Sequence, residues 1–308
     1  MSRTLNITTN TSKLNNQTLL AVVALIIAQI FWGTSYLFSE YALRVFPPAT
    51  LVTIRLTVAA FILGLIALCS GKLVKIPWKI YRWFILAAFC ELYIYFLCEA
   101  LALQRVNSMV TSVILSFIPL LTPLFTYYFL RDKITIMSLV GIVISIVGAL
   151  MVIIEKGEFA VDSFGVILLL IAMLAAVVYS LVIRKVPKEY NTLSVVFYMF
   201  CTAIIFFVPT CLLTEWSEIS TLATSSIDEF FGALMSIVCL AITASCIAFL
   251  FYSYGVRIIG PNKASVFNNI QPVVTAFFAW MLFDTPMTWI KVAGIAILIL
   301  GMFIAQKK

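Results

Sequence analysis

Three ionisable side chains interrupt long apolar runs of this sequence, where a charge is hardest to keep. Arg55 lies in the second run, and Glu91 and Glu99 lie in the third. A charge at the centre of a membrane-spanning helix costs roughly 2.5–3.5 kcal/mol on insertion scales, so such residues are candidates for a function. Glu91, Tyr95 and Glu99 follow one another at intervals of four residues and therefore share one face of a helix.

These three charges admit two interpretations. In the functional one they bind a solute, and Glu91 carries a proton, because a carboxyl group that moves between lipid and water can bind and release one. In the structural one Arg55 pairs with a glutamate and ties two helices together. Both stay open for Arg55, whereas the mid-depth position of Glu91 favours function. Glu99 is expected at a solvated helix edge, which favours structure.

A cluster of amides around Pro272 is the second candidate for a solute site. Asn268, Asn269 and Gln271 lie within four residues of that proline, in the ninth apolar run. Three amides facing lipid would lose too many hydrogen bonds, so at least two are expected to face the protein interior. Amides both donate and accept, which suits a polar or amino-acid-like solute, although hydrogen bonding between helices would also use them.

Prolines and aromatic side chains complete the candidate site. Pro119 and Pro272 are expected to break their helices, because proline removes a backbone hydrogen bond and clashes with the preceding turn. Such breaks are tolerated at membrane depth where a cavity or a neighbouring helix satisfies the freed carbonyls. The aromatic candidates for a cavity wall, with packing or interfacial anchoring as the alternative, are Trp32, Tyr36, Tyr95 and Tyr179.

Several kinds of chemistry have no basis in the sequence. It contains no histidine, which excludes histidine-based zinc sites and Ser-His-Asp triads. The seven cysteines lie in or beside apolar runs without a CxxC pair, so we expect them to pack rather than to bind metal. No GxxxxGK[ST] loop is present, which argues against an ATP-driven pump. We therefore expect no metal, no cofactor and no enzymatic activity.

The elements that position these residues are predicted to be membrane-spanning helices of an all-α integral membrane protein. Charged residues make up 11% of the chain and the mean hydropathy is +1.13, whereas soluble domains carry about 25% charged residues. A spanning helix needs about 20 mostly apolar residues. Ten such runs lie at roughly 17–38, 49–69, 82–102, 107–129, 134–154, 163–183, 192–213, 230–254, 262–283 and 286–305. The polar start lacks the features of a signal peptide.

Basic residues give the predicted helices an orientation. Of the 20 Lys and Arg residues, 15 collect on the side of the N-terminus, four collect on the other side, and Arg55 lies within a span. Because cytoplasmic loops are rich in Lys and Arg, both termini are expected in the cytoplasm, with several passes through the cytoplasmic (inner) membrane. The net charge of +7 follows from this asymmetry and gives no sign of nucleic-acid binding.

One stretch of the chain occurs twice. Residues 106–149 match residues 259–302 at a shift of 153 positions, which places Pro119 on Pro272. The matched glycines, expected to let helices approach closely, are Gly141 with Gly294 and Gly148 with Gly301. Related halves of five spans each would lie upside down relative to one another, because five is odd, and such inverted repeats are typical of secondary transporters.

The predicted organisation has four parts. They are a cytoplasmic tail at 1–16, a first repeat at 17–154, a second repeat at 155–305 and a short cytoplasmic tail at 306–308.

In their order and spacing, these motifs resemble the drug/metabolite transporter superfamily and, within it, the ten-helix EamA-type family. The resemblance rests on residues 31–35 (FWGTS), Pro47-Pro48, Arg55, Pro119 and the repeated end of the second half. It implies a transporter of small organic solutes, often an exporter of amino acids or other metabolites. It also implies that the fifth and tenth helices form a dimer surface or a scaffold.

The sequence thus predicts a secondary transporter that exports a small polar, amino-acid-like solute by alternating access, with proton coupling through Glu91. Its expected partners are that solute and membrane lipid, and a homodimer is left open. A channel or uncoupled facilitator is the alternative, and an intramembrane enzyme is a weaker rival, since the spans offer little catalytic chemistry.

Overall fold

A computed structural model of the protein describes residues 2–121, 125, 128, 135–154, 162–182, 190–221, 226–259, 264–283 and 286–306. Every element within these ranges is helical, as the sequence predicts. In chain order the helices are α1 (Ser2–Ala42), α2 (Pro48–Cys69), α3 (Trp78–Leu103), α4 (Ser108–Leu115), α5 (Ile136–Ile154), α6 (Ser163–Val182), α7 (Thr192–Thr214), α8 (Trp216–Thr221), α9 (Ile227–Ile259), α10 (Gln271–Phe283) and α11 (Trp289–Gln306).

Five of these helices, α1, α2, α3, α7 and α9, are long and apolar enough to cross a membrane. Shorter apolar helices include α5, α6 and α11. Large apolar side chains point away from the protein, such as Leu213 at 84% exposure and Phe61 at 67%. An apolar exterior of this kind is stable against lipid and not against water, so the chain is a multi-pass membrane protein.

Helix α1 is longer than the sequence predicts. The first run was expected over 17–38, whereas α1 extends from Ser2 to Ala42. The sequence contains no proline or glycine before Gly33, so no strongly helix-breaking residue separates the polar N-terminal segment from the apolar run. α1 is also the central element, because it packs against α3, α4, α9 and α10.

Helices α3 and α9 each contain a π-helical segment. The segments are Ala88–Ile94 in α3 and Ala241–Ile247 in α9. A π-helical turn holds an extra residue and disturbs the regular backbone hydrogen bonds, and it frequently occurs at functional sites. The shift from 88 to 241 is the same 153 positions that relate the repeated stretch. The two segments therefore occupy corresponding positions in the two halves of the chain.

The helices that contain Pro119 and Pro272 are both irregular just before the proline. Helix α4 ends at Leu115, a turn follows at 116–117, and helical backbone resumes over 118–121. Six residues, Ser265–Ile270, form a 3-10 helix that leads into α10. The proline ring clashes with the carbonyl four residues earlier, which accounts for both positions.

Two carboxylates fasten neighbouring helices at their N-termini. Glu215 accepts hydrogen bonds from the backbone N–H groups of Ala49 and Thr50, each at 2.7 Å, at the start of α2. Glu40, near the end of α1, accepts from the backbone N–H of Ser108 at 2.8 Å, at the start of α4. These N–H groups have no partner within their own helix, so an acidic side chain stabilises each helix end.

The repeated glycines bring α5 and α11 into backbone contact. A Cβ on Gly148 would lie 2.6 Å from the carbonyl oxygen of Gly294, and one on Gly301 would lie 2.7 Å from that of Gly141. Ser145, between the two α5 glycines, donates a hydrogen bond to the carbonyl of Leu298 at 3.2 Å. All four glycines are thus used inside the chain, and a second copy would have to bind another surface.

Candidate functional site

One face of α1 joins the two halves of the chain through amides. Gln29, fully buried in the middle of α1, donates from Nε2 to Oδ1 of Asn268 at 3.0 Å. Its Oε1 accepts from Nε2 of Gln271 at 2.7 Å. Two turns further along α1, the hydroxyl of Tyr36 donates to Oε1 of Gln271 at 3.1 Å. A buried amide must be hydrogen-bonded to be tolerated, and Gln29 satisfies this requirement for two amides of the other half.

Tyr95 of α3 packs against the cluster of buried side chains that contains Tyr36, and Glu99 of the same helix is close enough to interact electrostatically with both tyrosines. We refer to the hydrogen-bonded row of side chains as the polar chain; in order, it consists of Tyr36, Gln271, Gln29 and Asn268. Glu99 is 5% exposed, so the expectation of a solvated helix edge is wrong. Neighbouring α1, α2, α4 and α6 cover this end of α3.

Arg55 contacts the second half of the chain. Its Nε donates to the hydroxyl of Ser245, in the π-helical segment of α9, at 2.8 Å. Its guanidinium carbon lies 4.5 Å from the ring centre of Phe96, in a cation–π contact. Within the described residues the ion pair under 4 Å is Arg105 with Asp162, so Arg55 forms no such pair with Glu91 or Glu99. Arg55 is close enough to Glu99 for electrostatic interaction without direct contact.

Glu91 lies in the π-helical segment of α3, apart from the polar chain. Its Oε2 is buried and has no hydrogen-bond partner among the described residues. Tyr179 of α6 and Tyr252 of α9 are close enough to interact electrostatically with its carboxyl group. Tyr252 lies near Asn268 as well as near Glu91, so Glu91 and the end of the polar chain are neighbours of the same side chain.

Asn269 is a second group without a partner in the described part of the chain. It is 2% exposed, and both atoms of its side-chain amide are buried without a hydrogen bond. Its neighbours Asn268 and Gln271 are satisfied by Gln29, as expected of interhelical hydrogen bonding. Asn268 and Gln271 therefore join helices, whereas the side-chain amide of Asn269 has no hydrogen-bond partner among the described residues.

Trp32 is used within the protein. Its indole Nε1 donates to the backbone carbonyl of Ala244 at 3.0 Å, in the π-helical segment of α9. Its ring packs at 5.0 Å from Tyr252 and 5.4 Å from Phe249, measured between ring centres. These contacts hold α1 against α9, so Trp32 packs between helices, which is the alternative to a cavity-wall role that the sequence left open.

Three residues of this region were missed from sequence: Gln29, Ser245 and Tyr252. Gln29 carried a signal, since an amide in the middle of an apolar run is costly unless it is hydrogen-bonded. Tyr252 lies 153 positions after Glu99, so extending the repeat towards the N-terminus pairs the two residues. Ser245 carried no signal, because serine is common in spanning helices and often bonds to its own backbone.

The described residues contain no group of three or more Asp, Glu or Cys placed to hold a metal ion. The polar side chains of the region are instead suited to hydrogen bonds and a single charge pair with an organic molecule.

Comparison with known proteins gives consistent relatives over nearly the whole chain. A relative from Archaeoglobus fulgidus, named an uncharacterized transporter, is 26% identical over 93% of this chain and 98% of its own. The uncharacterized transporter YcxC of Bacillus subtilis is 22% identical over 92% of this chain and 91% of its own. A solved crystal structure superposes with a TM-score of 0.69 at 15% identity, over 94% of this chain and 97% of that one, which shows a shared fold.

The family model for EamA-like transporters matches the chain twice, over residues 19–154 and 163–306. The matched family and the named relatives are transporters, in line with the prediction that the chain is not an enzyme. The chain belongs to the EamA-like transporter family.

Proposed function

We propose that this protein is a secondary transporter that exports a small polar, amino-acid-like metabolite from the cytoplasm by alternating access, in exchange for protons. The observation that carries the proposal is that Oε2 of Glu91 and both amide atoms of Asn269 are buried without a hydrogen-bond partner among the described residues. Buried groups of this kind are costly unless something pairs with them. A bound solute supplies that partner when the site is occupied.

The chemistry of these groups fits a solute with an amine and a carboxylate. Glu91 is the partner for a protonated amine, because its Oε2 is buried without a hydrogen-bond partner among the described residues. Arg55 offers a planar fork of N–H groups to a carboxylate, since its hydrogen bond to a described residue runs from Nε. Tyr36, Tyr95 and the amides supply further donors and acceptors. Without solute, a proton neutralises Glu91, which links solute movement to proton movement.

The proposed architecture is ten spans in two inverted five-helix repeats, 17–154 and 155–305. Short tails at 1–16 and 306–308 and both termini lie in the cytoplasm. The support is the excess of basic residues on one predicted side, the odd number of runs in each half and the double match to one family model. A homodimer would use the lipid-facing side of α5 and α11, where Val143 and Phe303 are exposed.

Counterflow in proteoliposomes tests the function. Vesicles containing purified protein are loaded with one unlabelled amino acid or related amine and diluted into the same labelled solute. A carrier accumulates label transiently, because each inward step is paired with an outward one, and the uptake saturates. Uptake that rises linearly and is not stimulated by solute on the opposite side would identify a channel or facilitator instead. Protein-free vesicles provide the background.

A further inference from the structure

The segment that joins α2 to α3 carries a cluster of basic side chains, Lys72, Lys75, Lys79 and Arg82, which we call the basic platform. All four side chains are exposed. Residues 69–83 contain no acidic side chain, and within the part of the chain that the structure describes none of the four forms an ion pair. The basic platform therefore presents four positive charges without a counter-charge among the described residues.

The basic platform lies just beyond the apolar exterior of two helices. Leu68 near the end of α2, and Leu86 and Phe89 on α3, are exposed apolar side chains that face lipid. At a rise of 1.5 Å per residue, Arg82 lies about 6 Å and Lys79 about 10 Å before Leu86 along α3. The headgroup layer is roughly 5–8 Å thick on each side of the hydrocarbon core. Exposed basic side chains at this depth are level with the lipid phosphates.

Hydrogen bonds to the start of α7 fix the loop of the basic platform in place. The backbone carbonyl of Lys72 accepts from Nδ2 of Asn191 at 2.6 Å and from the hydroxyl of Ser194 at 2.8 Å. The backbone N–H of Val74 donates to the same hydroxyl at 3.1 Å, and Ser194 is fully buried. A loop held in this way keeps its charges in one arrangement, which lowers the entropic cost of binding a ligand.

The first turns of α3 are held in place as well. The hydroxyl of Tyr81 shares a hydrogen bond with that of Thr202 in α7 at 2.8 Å, and the Tyr81 ring stacks on Trp78 at 5.8 Å between ring centres. Trp78 is exposed, and tryptophan is enriched at the headgroup level of membrane proteins. The guanidinium of Arg82 lies 5.2 Å from the ring centre of Trp83, so an aromatic side chain also positions this charge.

A fifth basic residue reaches the same part of α7 from the other half of the chain. Arg257, in the last turn of α9, donates from Nη1 to the hydroxyl of Thr192 at 3.5 Å. Thr192 follows directly after Asn191, which binds the loop of the basic platform. Arg257 is exposed, and within the described part of the chain it forms no ion pair. Positive charges from both halves therefore lie around the start of α7.

We propose that the basic platform and Arg257 bind the phosphate of an anionic phospholipid at the membrane surface. Clustered Lys and Arg side chains beside a spanning helix attract anionic headgroups, and a fixed arrangement of them makes a saturable site. The bound lipid contacts α3, α9 and the loop after α2, all of which are bonded to α7. It therefore stabilises their packing around the start of that helix. The site is separate from the buried groups of the proposed solute site, so it stands independently of the transported solute.

Native mass spectrometry of the full chain in neutral detergent, titrated with phosphatidylglycerol or with phosphatidylcholine, tests this site. We expect a saturable adduct with phosphatidylglycerol that phosphatidylcholine does not form at the same concentration. Lys75→Gln and Lys79→Gln should each weaken the adduct about fivefold, the factor expected for one basic residue near an anionic surface. Arg44→Gln is the matched control, because Arg44 is an exposed basic residue beside the opposite end of α2, and it should leave the adduct unchanged.

Ser194→Ala distinguishes a built site from general attraction between charges. It removes the two hydrogen bonds of the Ser194 hydroxyl to the loop but changes no charge, and Asn191 still accepts from the backbone N–H at position 194. We expect weaker phosphatidylglycerol binding in this variant, with its helical content by circular dichroism as the check on folding. Lys75→Gln and Lys79→Gln alter exposed side chains and report on the site even if Ser194→Ala does not fold.

Three results would overturn the proposal. The first is unchanged binding in folded Ser194→Ala, and the second is an equal loss in Arg44→Gln, since each would show that charge alone attracts the lipid. The third is displacement of the lipid adduct by soluble glycerol phosphate at the concentration of the lipid, which would identify a site for a free phosphate. Retention of the adduct against glycerol phosphate supports the lipid as the occupant.

Discussion

Arg55 of α2 donates a hydrogen bond from Nε to the hydroxyl of Ser245 in α9 at 2.8 Å. Both side chains are buried, and the link joins two halves of the chain that are 190 residues apart in sequence. Ser245→Ala removes the acceptor and leaves a buried charge without it. Hydrogen bonds to charged groups contribute about 1.5–3 kcal/mol, so we expect a loss of that order in the free energy of unfolding.

Equilibrium unfolding in mixed micelles measures this effect. Ser236→Ala is the control, because Ser236 lies buried on the same helix and its hydroxyl donates to the carbonyl of Gly232, within that helix, at 3.0 Å. Ser245→Thr keeps a hydroxyl and should recover most of the stability. Equal losses in Ser245→Ala and Ser236→Ala would show that the Arg55 contact contributes little.

Glu91→Gln is expected to abolish solute accumulation driven by a pH gradient, while solute exchange remains measurable. The amide has nearly the same shape but cannot take up or release a proton. The measurement is solute accumulation in proteoliposomes with and without an imposed pH gradient. Glu229→Gln, at an exposed position of α9, is the control. Unchanged coupling in Glu91→Gln would exclude this residue as the proton carrier.

Gln29→Leu should destabilise the contact between α1 and α10. The substitution removes the partner of both Asn268 and Gln271. Hydrogen bonds between membrane helices contribute about 0.6 kcal/mol each on average, so a total loss of about 1–2 kcal/mol is expected. The exposed Gln17 lies on the same helix, and Gln17→Leu should have little effect on unfolding. Similar values for the two variants would contradict the bridging role of Gln29.

Gly148→Ala should separate α5 from α11. The added Cβ would approach the Gly294 carbonyl oxygen to 2.6 Å, and backbone atoms cannot rotate away as a side chain can. Overpacking of this kind costs roughly 1–3 kcal/mol. Gly232→Ala is the comparison, because its Cβ would meet only the end of the Tyr41 side chain, at 2.8 Å. Thermal unfolding in detergent should show a larger loss of stability in Gly148→Ala than in Gly232→Ala. A smaller loss in Gly148→Ala would contradict the prediction.

Asp162, just before α6, provides a pH-dependent contact outside the spans. Hydrogen bonds from the backbone N–H of Gly165 and from Arg105 lower the pKa of its carboxyl group below the ordinary value. A lowered pKa means that the carboxylate stabilises the folded state above the ordinary aspartate pKa, and that this contribution is lost as pH falls through the folded-state value. Asp162→Asn should therefore reduce the acid dependence of stability in that window. Asp228→Asn, at an exposed position near the start of α9, is the control.

The sequence predicts the class of fold and most of the polar residues, but not their partners. Arg55, Glu91 and the amides near Pro272 stand out because polar groups are costly in apolar runs. Which helix each one faces depends on packing between the halves, and no pattern within a single run contains that information. The glycines illustrate the point: their spacing predicts close helix contact, whereas their mutual contact between α5 and α11 is visible only in three dimensions.

The π-helical segments were not predictable for a related reason. Neither Ala88–Ile94 nor Ala241–Ile247 contains proline or glycine, so nothing in the local sequence signals a widened turn. Contacts stabilise the second segment from outside, through Trp32 at Ala244 and Arg55 at Ser245. Tertiary interactions of this kind override local preference.

The shared position of these two segments bears on the ancestry of the protein. A widened turn arises when one residue is inserted into a regular helix, and inheritance of one such event is simpler than two insertions at equivalent places. The ancestral half-length protein would then have carried the insertion before its gene was duplicated and fused. At the shift of 153 positions, Glu91 corresponds to Ala244. The first position holds a buried carboxyl oxygen without a hydrogen-bond partner among the described residues, whereas the second offers its backbone carbonyl to the indole of Trp32.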